Sequence, residues 1–134
     1  MEMNMGFGPI DIAVSGLRAG SKRMEVISSN VANARSTDNG NGEPYRRLEA
    51  VFKTDGDGLG GVVLDEVAAD MSDFQMVLKP GHPDADEQGY VTMPNVNIVE
   101  EMVNMISATR SYEAGVAAIN ASKSMALKAL EIGR

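Results

Sequence analysis

Apolar residues recur at helical spacing over the first 35 and the last 40 positions of the chain, and in short bursts between them. Ile10, Leu17, Met24 and Val31 repeat every seventh residue, with Ala13, Gly20, Ile27 and Ala34 as the interleaved set. This is the a/d spacing of a helix seam. It predicts a helix from about Pro9 to Asn33, with proline suited to the first turn and Asp11 close to the positive helix end. Arg18, Lys22, Arg23 and Glu25 fall on the opposite face. Towards the C-terminus, Ile98, Met102, Met105, Thr109, Tyr112, Val116, Ile119, Ala126 and Leu130 follow the same alternation, interrupted at Lys123. Val99, Val103 and Ile106 widen the stripe at its start. Asn97 is a cap residue with Glu100 three positions on, as in a capping box, and Gly133 is a natural stop. A helix from Ile98 to about Ile132 would be roughly 50 Å long.

Between the helices the period changes. Residues 36–44 (STDNGNGEP) are turn-rich, and β-type runs follow at 45–53, 61–67, 74–78 and 90–92. The glycine-rich stretch 54–61 reads as a hairpin loop and 79–89 as a second turn segment. The predicted class is α+β: two long terminal helices pair as a coiled-coil-like bundle around a small, mostly β insertion. The units are 1–35 with 95–134 as the helical core, and 36–94 as the middle element. Leu17, Met24 and Ile27 are expected to face Met105, Tyr112 and Ile119.

Charge sharpens this division. Net charge is +1 over residues 1–35, −8 over 36–94 and zero over 95–134, which together give the −7 of the whole chain. The excess lies in the middle element, expected on the solvent side of any assembly. An acidic chain is not built for nucleic acid. Without cysteine there is no disulfide, thiolate metal site or cysteine nucleophile. The N-terminus lacks the basic start and apolar run of a cleaved secretion signal. No stretch is apolar enough to insert in a membrane. Ten methionines against six aromatic residues suit adaptable helix seams better than a dense aromatic core.

Candidate site chemistry is thin. His82 is the single histidine and has no second histidine or cysteine to complete a zinc site; between Pro80 and Pro83 it reads as a turn residue. Asp55, Asp57, Gly60 and Glu66 fall at positions 1, 3, 6 and 12 of a calcium loop, but Leu59 occupies a ligand position and the flanks read as strands. A small calcium- or ligand-binding module on this loop is the alternative to a structural subunit. Phosphate-binding glycine signatures are absent. No cofactor, metal or catalytic residue is expected, and the chain is not read as an enzyme.

SGLRAGSKRMEVISSNVANA (15–34), with Asn30 and Asn33 in its final Asn-Val-Ala-Asn, resembles the N-terminal motif of the flagellar rod and hook axial proteins. GEPYRR (42–47) and the long stretch 80–130, which opens PGHPDADEQGYVTMPNVN, resemble the proximal rod members of that family more specifically. The family residues carried here are Asn30, Asn33, Gly81, His82, Pro83, Asp84, Asp86, Asn95 and Asn97. SDFQMVLK (72–79) and the loop 55–61 depart from the family pattern. The resemblance implies a structural subunit of the bacterial basal-body rod in a hetero-oligomeric helical assembly. It further implies export without a cleaved signal through the flagellar type III apparatus, and a place in the periplasm-spanning rod. Implied partners are other flagellar rod proteins, a rod-to-ring adaptor and the export gate. The implied assembly interface is the helix seams: Ile10, Leu17, Met24, Ile27, Val31, Met102, Met105, Tyr112, Val116, Ile119 and Leu130.

Overall fold

The computed structural model describes residues 8–56 and 60–133. Helix α1 spans Pro9–Ala32 and helix α2 spans Ile98–Ile132; between them lie β1 (Leu48–Thr54), β2 (Val62–Ala69), β3 (Gln75–Leu78) and β4 (Tyr90–Met93). Both helices carry the end signals that their sequence contains. Pro9 opens α1, and Asn33 closes it through its Nδ2–H bond to the Ser29 carbonyl. The Asn97 side chain accepts the Glu100 N–H at the start of α2, where Glu100 and Glu101 also suit the helix dipole.

The helices pair antiparallel. The Leu17 side chain lies against Gly115, Tyr112 lies against Gly20, and the Thr109 hydroxyl meets the Met24 sulfur at 3.7 Å. In α2 the residues turned away from solvent include Glu101, Asn104, Met105, Ala108, Thr109, Tyr112, Gly115, Ile119 and Ser122, with Glu101 and Ala108 fully buried. Met105, Tyr112 and Ile119 are half-buried, and Tyr112 meets α1 at Gly20. In the other half of the expected α2 seam Thr109 keeps its place against Met24, while Met102 and Val116 are exposed and the preceding residues Glu101 and Gly115 turn inward. Leu17 fills the space over Gly115, where even an added methyl carbon would come within 2.7 Å of it, so a bulky Val116 has no room on that line. Ile10 and Leu130 are exposed as well.

The β region is two separate antiparallel ribbons, β1–β2 and β3–β4, rather than one open element. In the first, Leu48 opposes Ala69 and Thr54 opposes Val62, with a bulge beside Val51 and Phe52. Two-stranded ribbons are marginal alone, and the first one docks on α1. The Ser15 hydroxyl accepts the Val62 N–H at 3.0 Å and donates to the Ile12 carbonyl at 2.6 Å, while Gly61, at φ +90°, lets the chain pass against Ser15. Gly61 thus lies before β2, not in it. Tyr45, Arg46 and Arg47 likewise stay out of β1: the Tyr45 N–H bonds the Ser36 carbonyl and the Arg47 N–H bonds the Asn95 side chain.

Candidate functional site

Asn30 and Asn95 act as staples between segments distant in sequence. The Asn30 carboxamide donates to the Leu48 carbonyl and accepts the Leu48 N–H, both at 2.9 Å, so it pairs with the start of β1 as a neighbouring strand would. Its Oδ1 also accepts the Tyr45 hydroxyl at 2.8 Å. Tyr45 packs with Ala34 and Val96, flanked by Leu48 and Ile98, where both helix ends meet the β region. Asn95 accepts the Arg47 N–H at 2.7 Å and donates to the carbonyls of Asp70 and Ser72. Both asparagines are buried. Each buried amide is thus held to its partners, and losing one would expose unsatisfied backbone groups.

Arg47 ties this joint to α2. Its Nε donates to Oε1 of Glu101, and one terminal nitrogen reaches Asp70 Oδ2 at 3.4 Å. The Glu101 side chain is 1% exposed, and its Oε2 has no hydrogen-bond partner among the described residues. Burial works against the Arg47 charge, but the hydrogen bond and the charge of Glu101 outweigh it and raise the guanidinium pKa. Asp70 is held below the usual carboxylate range, first by the Ser72 backbone N–H, then by the Ser72 hydroxyl, with Arg47 adding to the effect. Beside this pair, Arg46 donates to the carbonyls of Asp70 and Ser72 and stacks over the Phe74 ring, 4.1 Å from its centre.

The remaining motif residues shape turns. Asp84 accepts the Thr37 hydroxyl at 2.6 Å, which joins the two long loops. The Asp84 N–H donates to His82 Nδ1 at 3.0 Å, and Asp86 accepts from the N–H groups of Gln88 and Tyr90. Gly81 and Pro83 are exposed. The described calcium-loop residues lie on different parts of the hairpin. Glu66 is inside β2 opposite Val51, and the Asp55 N–H closes the hairpin on the Gly61 carbonyl. Asp57 lies outside the described residues. Among the described residues no group of three acidic, histidine or cysteine side chains is placed to hold a metal ion. No described helix is long and apolar enough to cross a membrane.

One face of the site is bare. Val99, Met102, Val103 and Ile106 are 71, 54, 59 and 57% exposed on the outward side of α2. Beside them runs a shallow cleft lined by Val77, Met93, Val96 and Ile98. Farther along α2, Met125, Leu127, Leu130 and Ile132 are also exposed.

Comparison with known proteins identifies the family. The chain is 47% identical over 127 residues to "Flagellar basal-body rod protein FlgC" of Salmonella typhimurium, a match covering 92% of this chain and 95% of that protein. The chain belongs to the flagellar basal-body rod protein family. The protein of the same name from Bacillus subtilis is 41% identical, with 96% of this chain and 98% of that protein covered; for Borreliella burgdorferi the identity is 40%, with 94% and 96% covered. The family model "Flagella basal body rod protein" matches residues 10–39, and "Flagellar basal body rod FlgEFG protein C-terminal" matches 87–132. These two rod-family segments contain nearly all of α1 and all of α2, the helices that pair here. The chain is thus a structural subunit of the flagellar basal-body rod, acting with other rod components.

Asp70 was not singled out from the sequence, and Tyr45 and Arg47 appear there only within GEPYRR (42–47), with no sign of their joint with Glu101. A signal for Glu101 exists: it lies seven residues before Ala108 and fourteen before Gly115, on the line of small residues that the close helix pairing selects.

Proposed function

We propose that the chain is a non-enzymatic building block of the proximal rod, joined to neighbouring subunits through the outward face of α2. Residues 1–35 and 95–134 form the axial core, and 36–94 stand outside it. The observation that carries this reading is the row Val99, Met102, Val103 and Ile106, four large apolar side chains each more than half exposed on consecutive turns. Monomers rarely keep such a contiguous patch bare. Covering each of these side chains would contribute about 1 kcal/mol. The inner seam of Leu17, Met24, Ile27, Val31, Met105, Tyr112 and Ile119 builds the subunit, and the outer face with Leu130 builds the tube. Partners in this reading are other rod proteins along the shaft and a rod-to-ring adaptor at its base. Delivery is by the type III export gate without a cleaved signal, to a periplasm-spanning rod that transmits torque and encloses the export channel.

The test is Val103→Asp and Ile106→Asp, each expressed in a strain lacking the native chain. Both side chains point outward, so the purified variants should keep their helical content and lose no more than about 0.5 kcal/mol of stability. Swimming should be abolished, and the exported variant should be missing from isolated basal bodies. Normal swimming by both variants would show that this face is not the subunit contact.

A further inference from the structure

The loop between α1 and β1 contains two Asn-Gly pairs, Asn39-Gly40 and Asn41-Gly42, and residues 38–43 are all exposed. Both glycines have positive φ, +95° and +80°. The Asp38 carboxylate accepts both glycine N–H groups on one oxygen, Gly40 at 2.8 Å and Gly42 at 3.1 Å. The Glu43 N–H donates to Oδ1 of Asn41 at 3.0 Å. The Asn39 N–H bonds the Glu43 carbonyl at 2.8 Å, and the Tyr45 N–H closes the base of the loop on the Ser36 carbonyl at 2.9 Å.

We propose that Asn41 is a self-modification site, at which the Gly42 backbone nitrogen attacks the Asn41 side-chain amide and converts it through a succinimide to aspartyl and isoaspartyl residues. Three requirements of that reaction meet here. The nucleophile must lose a proton, and the Gly42 N–H already points at a carboxylate that can take it. The carbonyl under attack must bear negative charge in the tetrahedral intermediate, and the Glu43 N–H is positioned on that oxygen. The approach to the nitrogen must be open, and glycine offers no side chain to block it.

The step balances within the chain and water. The bond from the Gly42 nitrogen to Asn41 Cγ forms, and the bond from Cγ to Nδ2 breaks. Nδ2 leaves as ammonia, carrying the proton that passed through Asp38. Water then opens the ring at either carbonyl, which leaves a carboxylate at position 41. Asn39 has the same following residue and the same proton acceptor, yet no donor among the described residues holds its carbonyl oxygen. It is therefore the slower of the two. The product adds a negative charge between Asp38 and Glu43, and the isoaspartyl form adds a methylene to the backbone of the link between α1 and β1.

The experiment is incubation of the full-length chain at mildly alkaline pH, with peptide mapping by mass spectrometry over time. Because Asn39 lies in the same loop, it is the internal comparator and no variant is needed for the first reading. Asn41 should convert about ten-fold faster than Asn39 in the folded chain, and the two rates should converge in urea. Asp38→Asn should slow Asn41 in the folded chain. Equal rates in the folded chain, a faster Asn39, or an Asn41 rate that does not fall in Asp38→Asn would each overturn the proposal.

Discussion

Replacing Arg47 with methionine tests whether the joint between α2 and the β region depends on one buried ion pair. The Arg47 side chain is 19% exposed and its partner Glu101 1%. Methionine keeps most of the arginine stem and its packing, so the change is mainly one of charge and hydrogen bonding. It leaves Glu101 buried with neither oxygen held among the described residues, since Oε2 has no partner there even now. Removing one member of a buried pair costs about 3–5 kcal/mol. The contact from Arg47 to Asp70 is long, at 3.4 Å, and Asp70 is 28% exposed, so its loss adds well under about 1 kcal/mol. Against a total of about 5–15 kcal/mol for a domain, this is a large fraction. The double variant Arg47→Met, Glu101→Leu removes the stranded charge and should recover to within about 1 kcal/mol of the native chain, because apolar replacements of buried pairs are often neutral. Urea unfolding followed by circular dichroism supplies all three values. If the single variant loses less than about 1 kcal/mol, or the double variant is as unstable as the single, the pair does not hold the joint.

Two further outcomes follow from the same geometry. Asp70 has a folded pKa below its ordinary value, so its stabilisation is fully present above the usual carboxylate range and is lost as pH falls through the lower folded value. Acid titration of stability should therefore show a loss in that acidic window that is diminished in Asp70→Asn; an identical acid limb in the variant would refute the assignment. Gly61→Ala would place a carbon 2.2 Å from the Ser15 hydroxyl oxygen at a φ of +90°. It should lower stability by about 2 kcal/mol or more and free the β1–β2 hairpin from α1, read as faster amide hydrogen exchange at Val62. Unchanged exchange at Val62 would mean that Ser15 does not fasten the hairpin.

The helix limits were legible because long periodic segments with end signals leave little choice: Pro9, Asn33, Asn97 and Gly133 mark ends that the structure keeps. The α2 seam was only half legible. Counting apolar residues favours Met102 and Val116, but close packing of two helices favours small residues, and Gly115 is visible as a seam position only once Leu17 is known to lie across it, with Ala108 two turns earlier on the same line. The polar joint was less legible still. Arg47 and Glu101 are 54 residues apart, and Asn95 bonds groups 48, 25 and 23 residues away, so no local pattern announces them. The motif asparagines were recognisable as residues but not as staples, since a carboxamide substituting for a strand partner leaves no periodic trace.

The two halves of the α2 pattern have different physical meanings. The half that pairs with α1 is satisfied inside the subunit, and it is lined by small or polar residues wherever the helices approach closely. The half that looked like a seam by size, with Met102 and its neighbours Val99, Val103 and Ile106, is what α1 leaves uncovered. In a 35-residue helix with one partner helix of 24 residues, part of the apolar surface is left uncovered by the described residues. The antiparallel register set by Leu17 over Gly115 and Gly20 over Tyr112 brings the start of α1 level with about residue 123, so the last turns of α2 run past it. Exposed Met125, Leu127, Leu130 and Ile132 lie in those turns. A helix that is apolar on more than one side is stable in water only when something else covers it. On the proposed reading that cover would be supplied by assembly, and the surplus length of α2 over α1 would reach the neighbour.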